Sequence, residues 1–431
     1  MPRTHPSIEL AILARHTVQT RLPLRVLRTL HGQSAFAASP PRFAIIPADV
    51  GDPAGSLGDL AMLAGLMRAL RQRYVGAEFT LVGTDGHRVT VPGTGEIEVQ
   101  AAWHGAAGAH AFDRLIRTHQ GLFVMGADIL DGKYGAAQVA RIAAYGNHSV
   151  KLGIPTTLLG FSFNNRPRWT SRHALSRLHR DVTVNVRDAA SLERFTRLVG
   201  MPAQLCADCA FLMPPADEGA DTATEAWIAQ QRTAGRIPIG VNLNAHAFSP
   251  ILAHLDMDSL ISGIADRLVR SAQRHALAIL LIPHDFKPDS GDLVMLKALS
   301  RHLHAAGWAP VRTIETRHAD QVKRIAGQLD LVLTGRMHLA IAALGSGTPE
   351  LSITYQDKFE GLYQHFELPS EHTLKADECL GDGFCAKLDT ALAQRHANRA
   401  RIAARLPYVL TLAERNLVLR SARYASNNDA L

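Results

Sequence analysis

Cysteine is scarce in this sequence, with four residues in a chain of 431. A disulfide framework needs a much higher density of cysteine, so a secreted disulfide scaffold is excluded and a reducing cytoplasm is expected. No apolar run approaches the roughly 18 residues of a membrane-spanning helix, and no secretory signal is expected. Charged residues make up 20% and apolar residues 47% of the chain, which excludes a disordered or collagen-like polymer.

Acidic residues are nearly absent from the first 42 positions. Six arginines against one acid, Glu9, give this stretch a charge of +5, which leaves +2 for the rest of a chain with a formal net charge of +7. The body is therefore close to neutral, and a surface for nucleic acid is not indicated. Residues 1–42 are predicted to form a basic helical extension interrupted at Pro23. Two interpretations stay open. One is a surface helix or a poorly ordered extension. The other is a basic amphipathic segment that contacts a partner or an anionic membrane, at the inner face of the cell membrane.

Short apolar runs alternate with helical patterns from residue 43 onward. Runs such as FAIIP, GLFVMG and TTLLGFSF are typical of parallel strands covered on both faces. A polar, acidic stretch, PPADEGADTATEA, separates two such series. We therefore predict an α/β protein with two Rossmann-like domains, whose mainly parallel sheets face a cleft. The predicted boundaries are 43–215 and 236–384 for the two domains, 216–235 for the linker and 385–431 for a terminal helical segment.

The most informative residues follow the predicted strand DLVLT. Arg336 and His338 lie in the first turn of a short apolar helix, where free backbone N–H groups already favour an anion. Arg336 supplies a charged fork for a carboxylate or phosphate, and His338 supplies a group that exchanges protons near neutral pH. Lys358 falls on the loop after the next strand, which ends at Tyr355. The alternative is an Arg–His pair that only caps the helix.

At these residues the sequence resembles the polysaccharide pyruvyl transferases. The resemblance rests on Arg336-x-His338, then Gly347-x-Pro349, then Tyr355-x-x-Lys358. Further elements in the same order are Arg187-Asp188-x-x-Ser191, Asp208-Cys209-Ala210-Phe211 and Gly58-Asp59, with Ser56 where the family usually has asparagine. The resemblance covers roughly residues 43–390.

The resemblance implies a glycosyltransferase-B-like fold and an expected activity. Pyruvate would pass from phosphoenolpyruvate to the hydroxyls of a saccharide or lipid-linked oligosaccharide as a ketal, in cell-surface polysaccharide biosynthesis. Phosphoenolpyruvate is then a co-substrate, and no other cofactor or metal is expected. Arg336 and Arg187 would hold the anions, His338 would act as acid and base, and Lys358 would support the phosphate beside Tyr355. For Arg187, a salt bridge to Asp188 is an equal alternative.

Other candidate residues carry weaker signals. The loop DVGDPAGSLGD is neither a Walker A sequence nor a dinucleotide fingerprint. Asp59 would repel a phosphate at the helix start, so it either binds a sugar hydroxyl or caps the helix. His284 follows the strand LAILLIP and is included as a substrate-binding candidate, although chance placement among 21 histidines is favoured. The Cys206-x-x-Cys209 spacing follows a strand rather than opening a helix, so no redox or metal site is predicted.

Two other functions remain open. One is a glycosyltransferase that uses a nucleotide-sugar donor, for which Glu360 and Asp357 are the available ribose ligands. The other is a non-catalytic saccharide-binding protein that retains the fold. Stabilisation by phosphoenolpyruvate, by a nucleotide or by neither separates these interpretations.

Overall fold

The computed structural model describes residues 6–31, 40–217, 221–287, 291–354, 358–369 and 373–419. The chain divides into two compact units that are not contiguous in sequence. Unit 1 comprises Met1–Ala54, Met62–Leu212 and Thr411–Leu431, and unit 2 comprises Gly55–Ala61 and Met213–Leu410. No helix in the described ranges is long and apolar enough to cross a bilayer.

Unit 1 is built on an eight-stranded sheet in the order β3-β4-β2-β1-β5-β6-β7-β8, parallel except for the β3–β4 pair. The strands are β1 (Arg42–Ile46), β2 (Glu78–Gly83), β3 (His87–Val91), β4 (Gly95–Ala101), β5 (Gly121–Val124), β6 (Thr156–Phe161), β7 (Thr183–Val186) and β8 (Gln204–Leu205). The helices are α1 (Pro6–His16), α2 (Leu22–His31), α4 (Gly105–Ile116), α5 (Ala136–Lys151), α6 (Trp169–Leu175) and α7 (Ala189–Val199). Helix α3 (Leu57–Arg73) belongs to unit 1 from Met62 onward, and its first five residues are counted in unit 2. The central strands are buried along their whole length, as helices on both faces require.

Unit 2 is built on a six-stranded parallel sheet in the order β11-β10-β9-β12-β13-β14. The strands are β9 (Ile237–Asn242), β10 (Leu277–Leu281), β11 (Val311–Thr313), β12 (Leu331–Thr334), β13 (Glu350–Thr354) and β14 (Thr373–Lys375). The helices are α8 (Thr222–Thr233), α9 (Ala245–Phe248), α10 (Met257–His275), α11 (Asp292–Ala305), α12 (Ala319–Gly327), α13 (Met337–Leu344), α14 (Lys358–Phe366) and α15 (Gly383–Glu414). The predicted α/β class with two mainly parallel sheets is confirmed.

The N-terminal helices continue through Pro23, where the sequence predicts an interruption. Thr17–Arg21 form a π-helical turn, and the Leu22 N–H donates to the Thr17 carbonyl, five residues back. Pro23 follows this turn as the second residue of α2, and its ring fixes φ near the helical value of about −65°. Leu24 and Leu27 are buried in unit 1, so these helices are part of its packed structure.

The end of the chain returns to unit 1 after α15. Asn416 is fully buried; its Oδ1 accepts the Gly160 N–H at 2.8 Å, and its Nδ2 donates to the Ala207 carbonyl at 2.8 Å. The Val418 carbonyl accepts the Thr157 hydroxyl at 2.9 Å. Hydrogen bonds, two of them buried, therefore hold this segment against β6 and the residues that follow β8.

Glu350 is a buried carboxyl at the start of β13. The Ser352 hydroxyl donates to its Oε2 at 2.7 Å, and Tyr363 lies beside it, with the Tyr363 hydroxyl oxygen accepting the Ser352 N–H at 3.0 Å. Burial outweighs the hydrogen bonds to Ser352 and Tyr363 and raises the pKa of Glu350 to about 7. The folded protein therefore holds this proton more tightly than the unfolded chain does.

Replacement of Glu350 by glutamine is expected to flatten the pH dependence of stability. The folded pKa is raised, so stability is present below the ordinary pKa of 4.5 and is lost as the pH rises toward about 7. The loss amounts to about 3 kcal/mol, at about 1.4 kcal/mol per pKa unit. Urea unfolding at pH 5 and pH 8 measures it, with Glu360→Gln on the exposed face of α14 as the control. An unchanged slope in the Glu350 variant would contradict this assignment.

Candidate active site at the carboxyl end of the second sheet

The strand order of unit 2 reverses at β9. From β9 the chain runs outward through β10 and β11, and then returns to the other side of β9 for β12, β13 and β14. The connections that leave β9 and β12 therefore diverge and open a crevice beyond the carboxyl ends of these strands, where open parallel sheets bind their ligands. Asn242 ends β9 and Thr334 ends β12; the two are paired in the sheet, and the Thr334 hydroxyl contacts Asn242 Oδ1 at 3.2 Å.

Asp292 is the centre of a buried hydrogen-bond network at this crevice. Its Oδ2 accepts from Asn242 Nδ2 at 2.7 Å and from the His284 N–H at 3.0 Å. Its Oδ1 accepts from Arg336 Nε at 3.0 Å and from Arg336 Nη2 at 2.6 Å. Asp292 is fully buried, so one carboxylate ties together residues from β9, from the segment after β10 and from the β12–α13 turn.

Arg336 lies where the sequence predicts, but its guanidinium is already bound to carboxylates of the protein. Besides the two contacts to Asp292, Nη2 lies 3.1 Å from Asp285 Oδ2. The Arg336 N–H donates to the Thr334 hydroxyl at 2.9 Å, which fixes the turn from strand to helix. In this arrangement Arg336 positions the start of α13, and Asp285, which is slightly less buried than Asp292, is its outermost partner.

His338 lies in the first turn of α13, directly against the backbone of Gly58. A Cβ at Gly58 would stand 2.3 Å from His338 Nδ1 and 2.7 Å from its Cγ, closer than heavy atoms approach. Gly58 belongs to the Gly55–Ala61 segment of unit 2. The Leu57 N–H donates to the His284 carbonyl at 3.3 Å, and Ser56 forms a β-bridge with Asp285. The glycine is therefore needed because the imidazole occupies the space of any side chain.

Gly58→Ala is expected to displace the His338 ring and to lower turnover by about a hundredfold, since misplacing a reacting group by about 1 Å costs that much. Steady-state kinetics together with the thermal midpoint measure this change. Gly51→Ala is the matched control, because a Cβ there meets only Asp49 Oδ1 at 3.4 Å, an ordinary contact. Equal turnover in the two variants would show that Gly58 does not set the position of His338.

Ser56 and Asp59 form a reciprocal cap at the start of α3. The Ser56 Oγ accepts the Asp59 N–H at 3.1 Å and donates to Asp59 Oδ2 at 3.0 Å, while the Ser56 carbonyl accepts the Leu60 N–H. Serine caps a helix as well as asparagine does, so the departure from the family pattern at this position keeps the cap. Ser56 is thus the capping residue, and the Asp59 carboxylate accepts its hydroxyl. Binding of a sugar hydroxyl by Asp59 stays a prediction.

His284 is buried beside the same network. Burial, followed by the positive charges of His338 and Arg336, holds its pKa well below the ordinary value of 6.5. Its imidazole is therefore neutral at pH 7 and contributes no positive charge toward an anion. Its backbone joins two parts of the site, since the N–H donates to Asp292 and the carbonyl accepts from Leu57.

Arg187 lies in unit 1, after β7. Its Nη1 donates to Asp208 Oδ2 at 2.8 Å and its Nε donates to Ser162 Oγ at 2.8 Å. Its carboxylate partner is therefore Asp208, whereas the alternative considered from the sequence was Asp188. Asp188 caps α7 instead and accepts the N–H and the hydroxyl of Ser191. A contact between Arg187 and substrate stays a prediction.

The remaining sequence candidates lie partly outside the described residues. Tyr355 lies outside them, and Lys358 is described only as the first residue of α14. Cys206 and Cys209 are fully buried in unit 1, and burial raises the pKa of both thiols. No group of three or more potential metal ligands occurs within the described ranges.

Two residues of the network, Asn242 and Asp292, are not among the sequence candidates. Asn242 has a recognisable signal, because it is a polar residue at the carboxyl end of a buried strand, IPIGVN. Asp292 has no such signal, since it opens a helix eleven residues after the end of the preceding strand and resembles an ordinary first-turn acid.

Comparison with known proteins gives a family and a fold. Residues 57–357 match the family described as Polysaccharide pyruvyl transferase. No curated protein matches the chain.

A putative UDP-N-acetylglucosamine 2-epimerase from Listeria monocytogenes is 12% identical with a TM-score of 0.55, over 88% of this chain and 94% of that one. Neisseria meningitidis UDP-GlcNAc 2-epimerase bound to UDP-GlcNAc is 10% identical with a TM-score of 0.53, over 88% and 98%. Anabaena HepE in complex with UDP-glucose is 12% identical with a TM-score of 0.53, over 87% and 98%. These similarities assign the glycosyltransferase-B fold.

Proposed function

This chain belongs to the polysaccharide pyruvyl transferase family, and from that premise we propose that it transfers pyruvate from phosphoenolpyruvate to a saccharide as a ketal. The observation that carries the proposal is the position of His338. It stands at the carboxyl end of β12, at the point where the strand order reverses, on a turn that the Arg336–Asp292 pair holds in place. Such a group is suited to deliver a proton to a small substrate in the crevice.

The reaction needs one proton delivery and two attacks by hydroxyl groups. Protonation of the methylene carbon of phosphoenolpyruvate makes the adjacent carbon oxocarbenium-like, and one sugar hydroxyl adds to it and loses its proton. Inorganic phosphate then leaves with its bonding electrons. A second hydroxyl of the same saccharide attacks the new oxocarbenium centre and loses its proton, which closes the ketal. Phosphoenolpyruvate and a diol thus give a pyruvate ketal and phosphate, with no change of oxidation state.

The contacts and burial of each residue suggest its role in this reaction. His338 donates the first proton and can recover one from an attacking hydroxyl. Arg336 is held by Asp292. A substrate carboxylate or phosphate would replace Asp285 as the partner of Arg336 Nη2, because the contact to Asp285 is longer than the contact to Asp292 and Asp285 is less buried. His284, which is neutral, would offer a hydrogen bond rather than a charge. Arg187, Lys358 and Tyr355 are the further ligands that the family resemblance implies.

The acceptor that fits this chemistry is a saccharide, free or lipid-linked, with two neighbouring hydroxyls. We place the reaction in the cytoplasm, as a step in the synthesis of a cell-surface polysaccharide, because phosphoenolpyruvate is available there. The +2 charge of the chain beyond residue 42 gives no support to a nucleic-acid substrate.

Ligand-induced stabilisation tests the choice of donor. The thermal midpoint is measured with phosphoenolpyruvate, inorganic phosphate, UDP and UDP-glucose, since a ligand that binds only the folded state raises it. We expect a rise with phosphoenolpyruvate that is larger than with phosphate, and none with UDP or UDP-glucose. The rise should shrink in Arg336→Gln and persist in Arg301→Gln, an exposed arginine of α11. Stabilisation by UDP and not by phosphoenolpyruvate would favour a nucleotide-sugar glycosyltransferase instead.

A further inference from the structure

The N-terminal helices are anchored to unit 1 on one face. Glu9 is buried, with Arg168 Nη1 donating to its Oε1 at 3.0 Å and the Thr170 hydroxyl donating to its Oε2 at 3.2 Å. Leu24 and Leu27 of α2 are also buried. One side of the helical stretch from α1 to α2 is therefore held in place, and the orientation of its opposite side is fixed as a consequence.

The opposite side exposes large apolar side chains in a line. Val18, Leu22 and Val26 follow one another at four-residue spacing and are 62%, 49% and 55% exposed. The uninterrupted passage through the π-helical turn and Pro23 keeps them on one face. Isolated exposed apolar residues are common, but three of them in a row on one helical face form a continuous apolar patch, and such patches often mark interaction sites.

Cations of one sign surround this row. From Leu10 to Ala48 the sequence contains no aspartate or glutamate. Arg15 and Arg25 are exposed, and Arg21 and Arg28 are half-buried along the same helices. Lys151, at the end of α5, lies close to this group: its pKa is lowered by partial burial and then by the charges of Arg28, Arg25 and Arg21. An anionic surface stabilises a cluster of cations that repel one another in this way, because it lowers their electrostatic free energy.

We propose that this face, formed by Val18, Leu22 and Val26 with Arg15 and Arg25, lies on a bilayer that contains anionic lipids. The apolar row enters the boundary between headgroups and acyl chains, while the arginines meet lipid phosphates. Charge decides the partner, because a cationic helix face without any acid is complementary to an anionic bilayer and repels a second copy of itself. Membrane contact would place unit 1 where lipid-linked saccharides are built, but the proposal stands on this surface alone and does not depend on pyruvyl transfer.

Vesicle flotation of the full chain tests the proposal. Wild-type protein is expected to float with phosphatidylcholine–phosphatidylglycerol vesicles, to remain unbound with phosphatidylcholine alone, and to dissociate as salt is raised. Val18→Ser with Leu22→Ser and Val26→Ser, and separately Arg15→Glu with Arg25→Glu, should each lower binding at least about tenfold. Matched controls are Val75→Ser, at another exposed valine, and Arg301→Glu on unit 2, which should bind as wild type does.

A second measurement keeps the proposal testable if the multiple variants fold poorly. Leu22→Cys, labelled with a solvatochromic dye, should show a blue shift with anionic vesicles and none with neutral ones; the native thiols are buried or half-buried. Equal binding to neutral and anionic vesicles, binding that none of the variants weakens, or no binding would overturn the proposal. So would a wild-type dimer in sedimentation equilibrium that the serine variant dissociates, because the row would then be covered by a second copy.

Discussion

Replacing His338 with glutamine is expected to lower turnover by about 10²- to 10⁴-fold, which is the usual contribution of a positioned general acid or base. Glutamine keeps much of the volume and the hydrogen-bonding capacity of histidine but cannot deliver a proton to carbon. Stabilisation by phosphoenolpyruvate should persist in this variant, because the anion contacts are assigned to other side chains. The expected pattern is therefore a loss of kcat with a small change in substrate binding.

The control for His338→Gln is His304→Gln, at an exposed histidine of α11 in the same unit. This variant should turn over as wild type does. Single-turnover measurements with phosphoenolpyruvate separate the chemical step from product release. Wild-type turnover in the His338 variant would remove the acid role from this residue and leave it as a helix-start residue packed on Gly58.

Asp292→Ala is expected to destabilise the protein by about 3–5 kcal/mol, which is typical of breaking a buried ion pair by removing one partner. The substitution leaves Asn242 Nδ2 and the His284 N–H without their common acceptor, and it leaves the Arg336 guanidinium with the Asp285 contact. Buried donors left without an acceptor carry their full desolvation cost. Urea unfolding measures the loss of stability, and far-UV circular dichroism shows whether the fold is retained.

Asp285→Asn is the matched comparison for Asp292→Ala. Asp285 is also bound to Arg336, with Nη2 3.1 Å from its Oδ2, and it is more exposed than Asp292. We therefore expect a clearly smaller destabilisation from its substitution. If Asp285→Asn cost as much as Asp292→Ala, the network would not be centred on Asp292.

The sequence predicts the fold well because periodicity reports burial. Continuous apolar runs such as FAII and LFV become strands buried on both faces, and the alternation of strands and helices leads directly to two parallel sheets. The sequence-based prediction is wrong at Pro23. A π-helical turn before the proline shifts the backbone hydrogen bonding by one residue, and the helix continues. A proline rule applied without that alternative predicts an interruption.

The sequence predicts some residues of the candidate site and misses others. Arg336 and His338 are found because they follow a strand end at the start of a helix, where residue type and position together indicate chemistry. The partner of Arg336 is not found, because Asp292 reaches it from another helix 44 residues away in sequence. The contact between Gly58 and His338 is also long-range, and a glycine has no side chain whose chemistry could indicate it. Spatial proximity between distant segments is set by the tertiary fold, and single-residue patterns do not encode it.

Pyruvyl transfer is tested most directly by an assay that follows phosphate and product together. The wild-type chain is incubated with phosphoenolpyruvate and a panel of aryl glycosides that carry neighbouring hydroxyl pairs; phosphorus NMR follows phosphate and mass spectrometry follows the glycosides. We expect pyruvyl transfer: phosphate is released in equal amount to a glycoside that has gained one pyruvate less one water, and both signals are lost in His338→Gln. Glycosyl transfer from UDP-sugars to the same panel, with phosphoenolpyruvate left intact, would contradict it.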